Sequence, residues 1–259
     1  MPDLSSNSNL LYDQSIDRLS CRQRPQGKNS GTQSWRDLLF LHWDIPIDLA
    51  QSLLPKGLTL DLYDGKAWIG VVPFTMEKVK PSFLPQWAAF NFLECNVRLY
   101  VLAQGQPGVY FLSLEAASWL AVQAARIGWK LPYFYAKMQT QQHPIPQTQH
   151  VEVDYKSYRS NGTGIEVKYI RKEALSPSKP GSLAFFFLER YLLFIEKGEE
   201  IYSGQVYHPP YPAYEAEVLE LKQNLTESHG YHSSELPTYV HASTGVDVEV
   251  FALKKLSHS

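Results

Sequence analysis

Cysteine is scarce: Cys21 and Cys95 are the only two among 259 residues. Their spacing fits neither a disulfide framework nor a zinc knuckle, so a packed core must hold the fold. Positive charge is not in excess either. Lysine and arginine total 24 against 26 aspartates and glutamates, a formal net charge of −2. No long basic run occurs, which argues against nucleic acid as a partner, because phosphate contacts need clustered Lys and Arg. No apolar stretch reaches the roughly 18 residues of a membrane span, and the N-terminal segment has no apolar signal core. A cytoplasmic protein with no membrane partner is expected. The Gly-x-Ser-x-Gly elbow, the phosphate-cradling glycine loop and the dinucleotide fingerprint are all missing, so no cofactor is expected. His229 and His232 lie three apart, but in a Gly- and Ser-rich loop without a carboxylate at ligand spacing, and no metal site is expected.

What is present can build a core. The chain is 44% hydrophobic and 13% aromatic. Residues 1–34 are rich in Ser, Asn and Gln, which predicts a disordered tail, with a single domain over 35–259. Residues 38–43 read as a buried strand. Asp44 and Pro46 open a short helix that buries Leu49, Leu53 and Leu54, and Pro55 with Gly57 closes it. Strands follow at 58–62 and 66–74, joined at the hairpin signal Asp64-Gly65. After a strand at 109–114, residues 116–129 read as a helix with Leu120, Ala124 and Ile127 on one face. Further strands are predicted at 133–138, 151–158, 165–171 and 246–253, with a hairpin turn at Lys197-Gly198-Glu199. Many hairpins and few helices predict an α+β class that is mainly antiparallel β, its sheet strongly curved or closed, with helices packed outside. A homo-oligomer is left open.

The most telling run is Glu94-Cys95-Asn96-Val97-Arg98-Leu99-Tyr100-Val101. Side chains alternate along a strand, so Glu94, Asn96, Arg98 and Tyr100 share one face and Cys95, Val97, Leu99 and Val101 the other. Two readings fit. An acid, an amide, a guanidinium and a phenol in register form a polar wall for an anionic or carbonyl ligand. Alternatively, the face is solvated and carries a Glu94–Arg98 ion pair.

Several motifs occur in order along the chain: Phe40-Leu41-His42-Trp43, Tyr63-Asp64-Gly65-Lys66-Ala67-Trp68, the polar strand, and Pro107-Gly108-Val109-Tyr110-Phe111. They continue with Leu131-Pro132-Tyr133-Phe134, Phe187-Leu188-Glu189-Arg190-Tyr191 and Gly245-Val246-Asp247-Val248-Glu249. As a set they resemble a bacterial family of uncharacterised proteins, a domain of unknown function placed near acetoacetate decarboxylase. The resemblance spans residues 35–256. It implies a cone- or barrel-like antiparallel fold around a hydrophobic-walled pocket. In the decarboxylase that pocket holds a Schiff-base lysine assisted by an arginine and glutamates, one of which Glu94 resembles. The lysine motif finds its nearest match at Lys130-Leu131-Pro132-Tyr133-Phe134, where Tyr133 and Phe134 stand in place of the lysines. This departure argues against Schiff-base decarboxylation.

Lys137 is the substitute to weigh. In a strand running on from Pro132 it shares a face with Tyr133 and Tyr135, where desolvation would favour its neutral, nucleophilic form. An edge lysine with a wet amine is the plainer alternative. His42 lies on an apolar strand, either as a hydrogen-bonded core histidine or as an acid/base. The pair Glu189 and Arg190 reads as a surface acid–base pair or as a pocket-mouth pair. The expectation is a protein that binds a small acidic or carbonyl-bearing molecule. Arg98 would clamp it, Glu94 and Asn96 would orient it, and Tyr133 and His42 would line the pocket, with Tyr100 among the ligand-binding groups. Glu94 as acid/base, or Lys137, would act in a lyase- or hydratase-like step. The alternatives are a non-catalytic sensor or carrier and a structural interaction module.

Overall fold

The computed structural model describes residues 15–119, 122, 131–233 and 236–256. Fourteen strands form one sheet: β1 (Gly31–Ile45), β2 (Thr59–Leu60), β3 (Ala67–Pro81), β4 (Phe90–Ala103), β5 (Gln106–Ala116), β6 (Tyr133–Tyr135), β7 (Lys137–Pro144), β8 (Val151–Tyr158), β9 (Gly164–Ala174), β10 (Leu192–Lys197), β11 (Glu200–Tyr207), β12 (Ala213–Gln223), β13 (Tyr239–Val250) and β14 (Lys254–Lys255). Two short α-helices among the described residues accompany them, α1 (Ile47–Ser52) and α2 (Leu183–Leu188).

The order β11-β10-β5-β4-β3-β1-β13 closes on itself because β11 also pairs with β13, at Val206 opposite Val250 and Tyr207 opposite Glu249. The sheet is thus a strongly curved ring, extended from β13 through β12, β9, β8 and β7. Pairing is antiparallel except where β5 meets β10 and β6. The fold is mainly antiparallel β with few helices, as the alternating strands and hairpin turns predict.

β4 sits between β3 and β5 and is buried on both faces. Cys95, Val97, Leu99 and Val101 are wholly buried in the largest apolar cluster, with Leu39, Leu41, Ile69, Val71, Tyr155 and Val167. The opposite face, carrying the polar residues, looks into the ring.

Turn chemistry fixes the register at the tight hairpins. Gln104 and Gly105 both take positive φ between β4 and β5, as a two-residue turn matched to strand twist requires. Asp64 and Gly65 do the same, with Tyr63 and Lys66 exchanging backbone hydrogen bonds. The strand expected at 58–62 nevertheless pairs with β4, at Thr59–Leu102 and Leu60–Val101, and not with β3 across that turn. β4 outruns β3 here, and β2 covers the backbone groups that would otherwise be bare.

Three bulges then change which side chains face inward. β1 has one near Asp37 (φ 50°), β3 one between Met76 and Val79 with Lys78 at φ 52°, and β5 one where Val97 pairs with Ser113 but Arg98 with Phe111.

Several expectations need correction. Order begins before Trp35: the Arg18 guanidinium is buried against Asp61 through two 2.6 Å hydrogen bonds, and Gln205 donates to the Cys21 carbonyl. A single buried ion pair anchors a stretch whose polar composition reads as unanchored. The strand expected at 133–138 breaks at Ala136 into β6, which pairs with β5, and β7, which pairs with β8. The apolar run around Phe185 is α2, capped by the Ser182 hydroxyl accepting from the Phe185 amide at 3.2 Å. Of the helix expected over 116–129, Ala116 instead ends β5, and residues 120, 121 and 123–129 lie outside the described residues. No helix among the described residues is long and apolar enough to cross a membrane.

Candidate functional site

Inside the ring lies a cavity of about 460 Å³. Phe90, Phe92, Glu94, Asn96 and Arg98 all line it, every second residue of β4. The solvated-face reading therefore fails: Glu94, Asn96, Arg98 and Tyr100 are 3%, 5%, 9% and 1% exposed. The remaining walls are largely apolar, including Val72, Phe74, Phe111, Leu114, Leu188 and Tyr211.

Arg98 is held from behind. Its Nε and Nη2 donate to Tyr100 Oη at 3.2 and 3.0 Å, and Nη2 also donates to the Phe187 carbonyl at 3.2 Å. Its guanidinium carbon lies 5.4 Å from the ring centroids of both Phe40 and Tyr100. Tyr100 Oη in turn lies 2.7 Å from His42 Nε2. Having accepted from Arg98, that phenol has its own proton to share between the imidazole and the Phe187 carbonyl, 3.4 Å away. Burial, reinforced by the Arg98 charge and by His241, holds His42 well below its ordinary pKa, so the ring is neutral. It stacks on Phe187 at 3.7 Å between centroids.

His42 and Tyr100 are therefore not wall residues, as the sequence suggests, but stand behind the wall and orient Arg98. Arg98 has no carboxylate partner among the described residues, and no ion pair joins it to Glu94. A buried guanidinium bonded only to a phenol and a carbonyl keeps an unmet demand for an anion.

Glu94 lies two alternations along. Tyr133, brought across β5 by the parallel pairing of β6 at Leu114–Tyr133, donates to Glu94 Oε2 at 2.7 Å. No hydrogen bond to Oε1 is found among the described residues. Burial raises the Glu94 pKa, Tyr133 partly offsets this, and nearby Glu115 adds to it; the result is about 8. At neutral pH Glu94 is a neutral acid and a hydrogen-bond donor. Between these groups, Asn96 Oδ1 is buried and accepts from nothing.

The expected nucleophile is displaced. Lys137 is exposed on β7 and does not line the cavity, because the break at Ala136 moves it off the Tyr133 face. Tyr135, expected on that face as well, is 48% exposed. Lys80 is the only lysine among the described lining residues. It stands beyond the β3 bulge, with Nζ donating to the Leu84 carbonyl at 3.2 Å.

Glu189 and Arg190 are not a surface pair. Arg190 lines the cavity and binds Asp61 at 2.6 Å, so Asp61 joins two arginines, Arg18 and Arg190. Glu189 accepts from the Tyr191 hydroxyl and, at 3.2 Å, from the Tyr211 amide. Sequence reasoning missed Asp61 and most of the aromatic wall. Phe90 and Phe92 could have been found by running the period-two pattern of β4 back from Glu94. Phe111 and Leu114 could not, because they share a face only through the bulge.

Comparisons with known proteins agree with this architecture. Residues 32–247 match DUF2071, described as an uncharacterized conserved protein. The uncharacterized protein YqjF of Bacillus subtilis (strain 168) is 33% identical over 228 residues, covering 87% of this chain and 92% of its own. Among solved structures, the enduracididine biosynthesis enzyme MppR complexed with pyruvate superposes with a TM-score of 0.58 at 11% identity, over 90% of this chain and 92% of that one. Acetoacetate decarboxylase from Legionella pneumophila subsp. pneumophila str. Philadelphia 1 gives a TM-score of 0.57 at 13% identity, over 98% of each chain. At these identities the structural likeness establishes the fold alone. With most of its ordered length matched, the chain belongs to the DUF2071 family and has an acetoacetate decarboxylase-like fold.

Proposed function

We propose that this protein binds a small carboxylic acid carrying a carbonyl or hydroxyl group, and acts on it by acid–base chemistry without a Schiff base. The observation that carries this reading is Arg98: buried, facing the cavity, fixed by Tyr100 and Phe187, and without a carboxylate of its own. A ligand carboxylate supplies the missing charge. Glu94, protonated at neutral pH, donates to the ligand oxygen, and the Asn96 side chain holds the segment between. Donation from a neutral carboxyl polarises a carbonyl toward enol formation or the loss or addition of water, a lyase- or hydratase-like step. Pyruvate, bound in the structural neighbour MppR, is a natural first probe.

A non-catalytic carrier or sensor is the second reading. It is supported by the absence of any lysine other than Lys80 among the described lining residues.

The test is to titrate pyruvate and short 3-oxo acids by calorimetry and to follow their turnover by NMR. Arg98→Met is expected to weaken acid binding roughly 10- to 100-fold, the scale of a charge-assisted hydrogen bond lost at a buried site. Glu94→Gln is expected to keep binding and lose turnover. Acid binding indifferent to Arg98→Met would sink the proposal, and binding without turnover in the unaltered protein would select the carrier.

A further inference from the structure

A small keto acid clamped at Arg98 would leave most of the cavity unfilled. At about 460 Å³ the space falls in the range of about 300–1,000 Å³ that holds drug-sized ligands. The unfilled part is apolar on its β4 and β3 side, while Ser30, Thr32, Gln33 and Lys80 line its β1 side. Strand β4 supplies the polar groups at 94, 96 and 98 and only phenylalanine at 92 and 90, with Met76 and Val79 of β3 beside them.

Exposure rises along the same direction. Arg98 is 9% exposed and Phe90 40%. At about 3.3 Å per residue, Phe90 lies roughly 26 Å from Arg98 along the strand. The cavity is therefore graded along β4, charged at Arg98 and apolar at Phe92 and Phe90, with Thr32, Gln33 and Lys80 on the facing side of the rim. Water against Phe90, Phe92 and Met76 would face aromatic and thioether walls with few hydrogen-bond partners. Beyond the rim, Pro81 and Phe90 bracket a loop on which Phe83 and Trp87 stand 83% and 87% exposed, so apolar surface continues outward.

We infer that the ligand is an amphipathic carboxylic acid, its head at Arg98 and its extended apolar tail running past Phe92, Met76 and Val79 toward Phe90. This rests on the carboxylate-clamp reading and adds the tail. Oxidation state and functional groups near Asn96 and Glu94 belong to the head and are independent of it. The bulge between Met76 and Val79 makes the tail path possible, since it turns Val79 back onto the face that Val72, Phe74 and Met76 occupy.

The experiment is a calorimetric series with the full chain: acetate, butyrate, hexanoate, octanoate and decanoate below their micelle-forming concentrations, with decanol as the headless control. Affinity is expected to rise about three- to fourfold per added methylene. Decanol is expected to bind at least tenfold more weakly than decanoate. Phe90→Glu, at a partly exposed position that tolerates charge, is expected to reduce decanoate binding more than butyrate binding, with the fold checked by circular dichroism.

Butyrate and decanoate binding equally, both sensitive to Arg98→Met, would overturn the tail and leave the clamp standing. Decanol and decanoate binding equally, both indifferent to Arg98→Met, would overturn the clamp and the inference with it. No binding anywhere in the series would overturn the inference as well.

Discussion

Glu94 shows how one residue's surroundings set its chemistry. Burial without an adjacent cation raises its pKa from the ordinary 4.5 to about 8. The folded state therefore holds this proton across a window in which the unfolded chain has released it. Stability from this residue is fully present below about pH 4.5 and is lost as pH rises through about 8, at roughly 1.4 kcal/mol per pH unit inside the window. Urea unfolding at pH 5, 7 and 9 should show Glu94→Gln gaining on the unaltered protein at each step, by several kcal/mol in all. A constant difference between the two would mean that Glu94 is ionised or solvated. The alternation of β4 made Glu94, Asn96 and Arg98 legible in advance. It could not show that Tyr100 and His42 stand behind the guanidinium, because a strand pattern assigns faces and not depth. Lys137 misled for a related reason: a continuous strand was assumed through Ala136, whose burial marks a break instead.

At the level of elements, the site depends on strands that depart from strict alternation. Asp37 and Lys78 adopt positive φ at bulges although neither is glycine, so nothing in composition announces them. Glycine is informative where backbones meet closely. A Cβ at Gly108 would lie 2.6 Å from Phe194 Cε2 and 2.7 Å from the Leu192 carbonyl, on the parallel seam where β5 joins β10 at Val109–Leu193 and Tyr110–Phe194. That seam is short, and it forms part of the ring wall. Gly108→Ala is expected to lower stability by about 1–3 kcal/mol, the usual cost of overpacking, read as a shift in denaturant midpoint. An unchanged midpoint would mean that the seam yields freely. The turns at Asp64-Gly65 and Lys197-Gly198-Glu199 were legible from sequence. The partner of the strand before the first of them was not, since β2 crosses to β4 instead of folding back.

For the whole molecule, Asp61 is the buried carboxylate that ties the N-terminal segment down, beside Gln205 on the Cys21 carbonyl and Glu249 on Arg24 and Asn29. Burial alone would raise its pKa, but Arg190 and Arg18 outweigh that and hold it lower. Asp61→Asn leaves two buried guanidiniums facing each other and is expected to cost about 3–5 kcal/mol of stability, whereas Arg18→Met leaves Arg190 paired and should cost less. The reverse order, measured by chemical denaturation, would mean that Arg18 is anchored by something other than this carboxylate. Composition placed residues 1–34 in a disordered tail, of which 15–34 are ordered, because one deep ion pair weighs nothing in a count of Ser, Asn and Gln. The mainly antiparallel, strongly curved class was legible, since it follows from many local hairpins.

Ring closure itself is a long-range event. β1 is bonded on one side to β3, its near neighbour in sequence, and on the other to β13, with Gly31 opposite Val250. During synthesis, β1 and β3 leave the ribosome with an open edge and wait for roughly 200 more residues before the second partner exists, a separation that slows folding and leaves strand edges free to aggregate. The cavity does not exist until that last pairing is made, so a nascent chain has nothing to bind with.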